Sequence, residues 1–152
     1  MKEYLVTWLL AMAPISEVRG AIPYALAKGI PYPWDFLLPV LGNIFVIPWL
    51  LLWLEPFFRW LRRQPSLNRL DAWFRKYQER TVSKVTSHQR AIMVALFLFV
   101  AIPLPTTGAY SGALAAVLLR LPKRKSFLVI ALGILAAGLI VYLTSRGIIH
   151  IL

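Results

Sequence analysis

Apolar residues run without a charge from Phe36 to Leu54 and again from Ser126 to Thr144, and each run follows a shorter apolar stretch that breaks at prolines. Nineteen residues of helix measure about 28 Å, close to the hydrocarbon thickness of a bilayer, so both runs predict spanning helices. The preceding stretches, Tyr4 to Ala13 and Ala91 to Ile102, are ten and twelve residues long. They cover roughly half the distance. Each stops at a break, Pro14-Ile-Ser-Glu-Val-Arg-Gly20 in one case and Pro103-Leu-Pro-Thr-Thr-Gly108 in the other, and resumes as a second short apolar segment. The pattern predicts two re-entrant helical hairpins, because irregular backbone at membrane depth is tolerated only where protein or a cavity shields it.

The halves match when the chain is laid on itself with an offset of 91. Pro14 falls on Pro105, Ala25 on Ala116, Pro31 on Pro122, Phe36 on Phe127, Leu41 on Leu132, Gly42 on Gly133 and Leu52 on Leu143, with no gap. The prolines and the glycine carry the weight, since leucines coincide readily in apolar segments. The expected fold is an all-α integral membrane protein: one membrane domain over residues 1–152, with a first repeat at 1–55, a linker at 56–90 and a second repeat at 91–146. A hairpin plus one span crosses the membrane an odd number of times, so the two repeats are expected in opposite orientations.

Composition and charge sharpen this. A chain that is 59% hydrophobic and 15% charged has too little polar surface to cover a water-soluble globule. The A-x-A pattern Ala11-Met-Ala13 after Lys2 imitates a signal peptide, but Pro14 at the would-be mature start argues against cleavage. Thirteen Lys and Arg lie either in the linker or in the turn Arg120, Lys123, Arg124, Lys125, whereas Lys2, Lys28 and Arg146 lie elsewhere and Arg19 sits at membrane depth. Positive residues favour the cytoplasmic side. The expected location is therefore the inner (plasma) membrane, with the linker cytoplasmic and both termini external. The net charge of +11 is then a matter of orientation and anionic lipid rather than of nucleic-acid binding. Within the linker Leu67, Leu70, Trp73, Phe74 and Tyr77 recur at helical spacing among basic residues, predicting an amphipathic helix on the inner surface.

Candidate chemistry gathers at the hairpin tips. Glu17 and Arg19 lie between apolar segments, where an unpaired charge costs at least about 2.5–3.5 kcal/mol. One reading makes them a structural ion pair; the other makes Arg19 a bidentate anion ligand and Glu17 a carboxylate coupled to H+ or Na+. The second tip offers the hydroxyls of Thr106, Thr107, Tyr110 and Ser111. Pro103, Pro105 and Gly108 break its backbone, as Pro14 and Pro23 interrupt the first hairpin. A helix starting near Ala109 would aim its amides and positive dipole end at the midplane, where anions are favoured. Gly108, Gly112 and Ala116 form a small-residue face expected to pack on the first hairpin, with Gly42 and Gly133 as packing contacts in the spans and Asn43 a secondary cavity candidate. No cysteine is present, and His88 and His150 are isolated, so no metal site or cofactor is expected. No His, Cys or carboxylate pair is placed for acid–base chemistry, and an enzyme is not expected.

Pro14-Ile-Ser-Glu-Val-Arg-Gly-Ala-Ile-Pro23, taken with Pro103-Leu-Pro-Thr-Thr-Gly-Ala-Tyr-Ser-Gly-Ala113, resembles the paired signature of the small multi-drug export protein family across nearly the whole chain. That family is distantly similar to the DedA/VTT superfamily, whose members have two re-entrant hairpins in inverted repeats and include transporters implicated in flipping polyprenyl phosphate and other lipids. The resemblance implies transport with Glu17 and Arg19 at the site; unlike DedA proteins, this chain has no charge at its second tip. Three readings follow. The favoured one is a carrier or flippase for an amphipathic anion such as a lipid-linked phosphate. The second is a proton-coupled exporter of lipophilic cations, using Glu17 with Trp8, Tyr24 and Tyr110. The third is a non-transporting scaffold in which Glu17 and Arg19 merely pair. Membrane lipids are the expected partners, and a homodimer or larger homo-oligomer is the expected assembly.

Overall fold

The computed structural model describes residues 1–61, 89–104 and 107–151. Six helices lie among them: α1 (Lys2–Met12), α2 (Glu17–Ala27), α3 (Trp34–Leu61), α4 (Gln89–Ala101), α5 (Ala109–Leu118) and α6 (Lys123–Ile151). The linker helix expected from Leu67 to Tyr77 falls outside the described residues, as do Pro105 and Thr106.

The two long helices extend beyond the uncharged runs. With 28 and 29 residues, α3 and α6 each measure about 42 Å, because the helix continues into charged flanks: Asp35, Glu55 and Arg59 on α3, and Lys123, Arg124, Lys125 and Arg146 on α6. Within them Trp34–Trp60 and Lys123–Ile148 are long and apolar enough to cross a bilayer. Pro39, Pro48 and Pro56 each remove one amide from α3, yet the helix continues through all three. Packing on neighbours holds it: α3 contacts α1, α2, α5 and α6.

Polarity is inverted relative to a water-soluble bundle. Leu37, Leu41, Phe45, Trp49 and Leu52 form an outward stripe on α3, and Leu128, Leu132, Leu135 and Leu139 do the same on α6. Thr7, Glu17, Asp35, Asn43 and Ser126 are buried instead. An apolar surface this continuous is matched by hydrocarbon and not by water. Beneath it one buried cluster joins Val18 and Ile22 of α2, Val40 and Ile47 of α3, Val100 of α4, Ala113 of α5 and Ile130 and Ile134 of α6.

Positions 91 apart share local geometry. Helix α2 ends with Gly29 N–H donating to Leu26 O (3.0 Å) and Ile30 N–H to Ala25 O (3.1 Å). At the end of α5, Arg120 N–H donates to Val117 O (3.1 Å) and Leu121 N–H to Ala116 O (2.9 Å). Both ends are Schellman caps, each with its turn residue at positive φ: 67° at Gly29 and 53° at Arg120. The short α1 and α2 fold against each other and against α3; α4 and α5 do so against α6, with α2 crossing to α6 and α5 to α3.

Glycines permit the closest of these approaches. A Cβ at Gly42 would lie 3.0 Å from Ala11 Cβ, and one at Gly133 would lie 2.8 Å from Val100 Cβ and 3.2 Å from the Phe97 carbonyl. The face expected to meet the first hairpin divides. Gly108 faces Glu17, whereas Gly112 faces Val100 of α4 and Ile130 of α6, because α5 lies in the angle between those two helices. Gly133→Val is expected to destabilise the protein by about 1–3 kcal/mol through overpacking against fixed backbone. Gly147→Ala, with open space around it, should leave stability unchanged or slightly raised. Thermal unfolding of both variants in one detergent checks the contrast.

Candidate functional site

The breaks at 13–16 and 102–108 bring the expected tip residues together. Helix α1 ends at Met12 because Pro14 cannot continue it, and the chain re-enters helix at Glu17 with a backbone φ of 48°. A non-glycine residue in this region costs on the order of 1 kcal/mol and needs surrounding contacts to hold it. Those contacts come from the other repeat. Glu17 is 6% exposed, and its Oε1 accepts the Tyr110 N–H at 3.3 Å, with the Ala109 amide also directed at the carboxylate. The carboxylate thus sits on the N-terminal amides of α5, where the dipole favours negative charge. Gly108 makes room for it: a Cβ there would collide with both carboxylate oxygens.

Arg19 crosses to the other side of the same break. Its Nη1 donates to Leu104 O, while Nη2 reaches Thr107 Oγ1 at 3.0 Å and Ile102 O at 3.5 Å. The Thr107 hydroxyl also accepts the Leu104 N–H (3.2 Å) and lies 2.8 Å from Ile102 O, which closes the turn. The carbonyls of the turn that follows α4 therefore accept from a charge on α2 in addition to the turn's own donors. Among the described residues no ion pair joins Glu17 directly to Arg19. The two charges clamp opposite ends of one break and attract each other across it.

The offset of 91 also relates these contacts. It places Tyr110 on Arg19 and Gly108 on Glu17. As Arg19 caps the end of α4, the Tyr110 hydroxyl donates back to Met12 O at the end of α1. Each hairpin thus reaches into the other's gap. Ser111 Oγ donates to Gly108 O at 3.3 Å within its own turn, so its hydroxyl supports the tip locally. Thr106 lies outside the described residues. Pro23 sits inside α2, and α2 continues through it.

Three buried polar residues, Thr7, Asp35 and Ser126, do not stand out in the sequence, and Thr7 Oγ1 simply donates to Glu3 O one turn back in α1 (2.7 Å). Asp35, buried in the first turn of α3, accepts the Tyr142 hydroxyl at 2.9 Å, and the Tyr142 ring meets Phe36 edge-on and lies under the Arg146 guanidinium. Asp35 lies one residue before the uncharged run, and the offset pairs it with Ser126, which is also buried. That pairing was the available signal. Asn43, a secondary candidate, is fully buried, and neither end of its amide has a protein partner.

The site can do specific chemistry. It presents helix-terminal amides, a guanidinium with an unpartnered Nε and a carboxylate occupying the anion position. A family model described as "Putative small multi-drug export protein" matches residues 17–140, a span that includes Glu17, Arg19, the second tip, all of α3 and α6 as far as Ile140. No curated protein and no solved structure matches the chain.

Proposed function

The chain belongs to the small multi-drug export protein family, and from that premise we propose that it is a membrane transporter whose site lies between the two hairpin tips and takes the head of an amphipathic anion such as a lipid-linked phosphate. One observation carries the choice of charge: the α5 amides already hold a carboxylate, that of Glu17, with the Arg19 charge attracting it through space. A phosphate or carboxylate head has the same needs. Glu17 is then an internal stand-in, and the substrate anion displaces it. Neutralisation of the departing carboxylate by H+ or Na+ couples ion and substrate, because the carboxylate and the substrate anion compete for one set of donors and the ion removes the carboxylate from that competition.

The remaining parts of the reading follow from this. The hairpins enter from opposite faces, the basic segments lie on the cytoplasmic side, and tilting of one repeat against the other opens the site alternately. The outward apolar stripes leave room for a homo-oligomer. A second reading, export of lipophilic cations, draws on the family description and on the lone carboxylate with Tyr110 beside it.

The two readings differ over Glu17→Gln. Under the anion reading this variant weakens the internal competitor, so undecaprenyl phosphate is retained about tenfold more tightly in native mass spectrometry, equivalent to about 1.4 kcal/mol. Under the cation reading the same change abolishes binding of tetraphenylphosphonium. Loss of lipid-phosphate retention together with loss of cation binding would remove the anion proposal.

A further inference from the structure

A cavity lined by none of the tip residues Glu17, Arg19, Thr107 and Tyr110 opens where α3 ends and the α5–α6 turn begins. Its volume is about 390 Å³, and Glu55, Arg59, Arg120 and Lys123 lie on its wall with Leu51, Phe58 and Leu121. Three cations from three elements face one carboxylate. Lys123 Nζ pairs with Glu55 Oε2 at 2.5 Å, which leaves the Arg59 and Arg120 guanidinium groups to supply an excess of positive charge. Beside it, sharing Leu51 and Lys123, an apolar groove of about 440 Å³ runs over Pro48, Leu52, Phe127 and Leu128 with Arg124 at its edge.

We propose that this paired cavity and groove hold one anionic diacyl phospholipid, its phosphate against Arg59 and Arg120 and an acyl chain along the groove between α3 and α6. Three observations support that occupant. The charge excess calls for an anion, and basic pockets between membrane helices suit anionic headgroups. The apolar groove begins at the pocket's own wall, so headgroup and chain are accommodated together rather than separately. The third is the placement of cations. Lys123, Arg124 and Lys125 occupy the first turn of α6 with no acidic residue among them, against the preference of the helix dipole. Arg120 holds a φ of 53° where the equivalent residue of the first repeat is Gly29. Both arrangements disfavour the isolated protein, and a bound phosphate offsets both.

This site is independent of the substrate assigned to the hairpin tips. The test uses the full-length protein, delipidated and titrated with dioleoyl phosphatidylglycerol or dioleoyl phosphatidylcholine, with bound lipid counted by native mass spectrometry. The wild type is expected to prefer phosphatidylglycerol by at least about tenfold, while glycerol phosphate, which lacks the chains, binds at least about tenfold more weakly still. Arg120→Gly removes the guanidinium and relieves the positive-φ position, so the variant should fold at least as well as the wild type. Combined with Arg59→Gln, it is expected to abolish the preference. Arg19→Gln is expected to leave the preference intact. Equal retention of the two lipids, an undiminished preference in the double variant, equal binding of glycerol phosphate, or loss of the lipid in Arg19→Gln would each overturn the proposal.

Discussion

Arg19→Ala is expected to lower stability by about 1–3 kcal/mol and retention of a lipid phosphate by at least about tenfold. The stability loss arises from the other repeat. Without the guanidinium, the carbonyls of Ile102 and Leu104 lose a charge-assisted donor and keep only the neutral ones of the turn, the Thr107 hydroxyl and the Leu104 and Thr107 amides; a hydrogen bond from a charged group is worth about 1.5–3 kcal/mol. Arg19 is half-buried, so water recovers part of this, which sets the lower end of the range. The binding loss has a separate origin in the removed charge-assisted bonds. Arg19→Lys separates the two effects: it keeps the charge but cannot fork between Leu104 and Thr107, so stability should recover only in part. Thermal unfolding in detergent and native mass spectrometry read the two quantities in one preparation. An Arg19→Ala protein with an unchanged melting temperature and unchanged lipid retention would mean that the clamp holds nothing.

Gly108→Ala is expected to cost about 2–4 kcal/mol although it adds one methyl group. The new Cβ occupies the space of the Glu17 carboxylate, so the carboxylate must leave the α5 amides. Losing a helix N-terminal cap costs on the order of 1 kcal/mol, and overpacking adds about 1–3 kcal/mol. The cause can be isolated by making the same change in a Glu17→Ala background. If the methyl acts by evicting the carboxylate, the second substitution does much less harm there, and the double-mutant cycle shows a coupling above about 1 kcal/mol. Additive losses would place the damage in the backbone at Gly108, whose φ of 158° side-chain-bearing residues rarely adopt.

Much of the architecture was legible because it rests on local rules. The helices before Pro14 and Pro103 ended within two residues of those prolines, and the start of α5 fell at Ala109 as the glycine before it suggested. Length alone distinguished the half-depth stretches from α3 and α6. The helix ends were less legible: α3 and α6 outrun their uncharged cores because a spanning helix continues into the headgroup region once charges can reach water.

The tips were legible in composition and not in contact. Glu17 and Arg19 stood out as charges among apolar residues, yet their partners lie 83 to 93 positions away, and sequence spacing gives no hint that a side chain from one break completes the backbone of another. The α5 amides were recognised as an anion site; that Glu17 would occupy them depends on how closely two hairpins approach. Asp35 illustrates a different loss. Its carboxylate marks the boundary of an uncharged run, and only the packing of Tyr142 from α6 reveals that it is interior.

The reciprocal crossing of Arg19 into residues 102–107 and of Tyr110 back to Met12 bears on how the protein is made. While a ribosome has delivered only the first hundred or so residues, Glu17 and Arg19 have no backbone to neutralise, and the N-terminal half is a charged wedge with nothing to receive it. The N-terminal half made alone is therefore expected to hold these two charges less stably than the whole chain does.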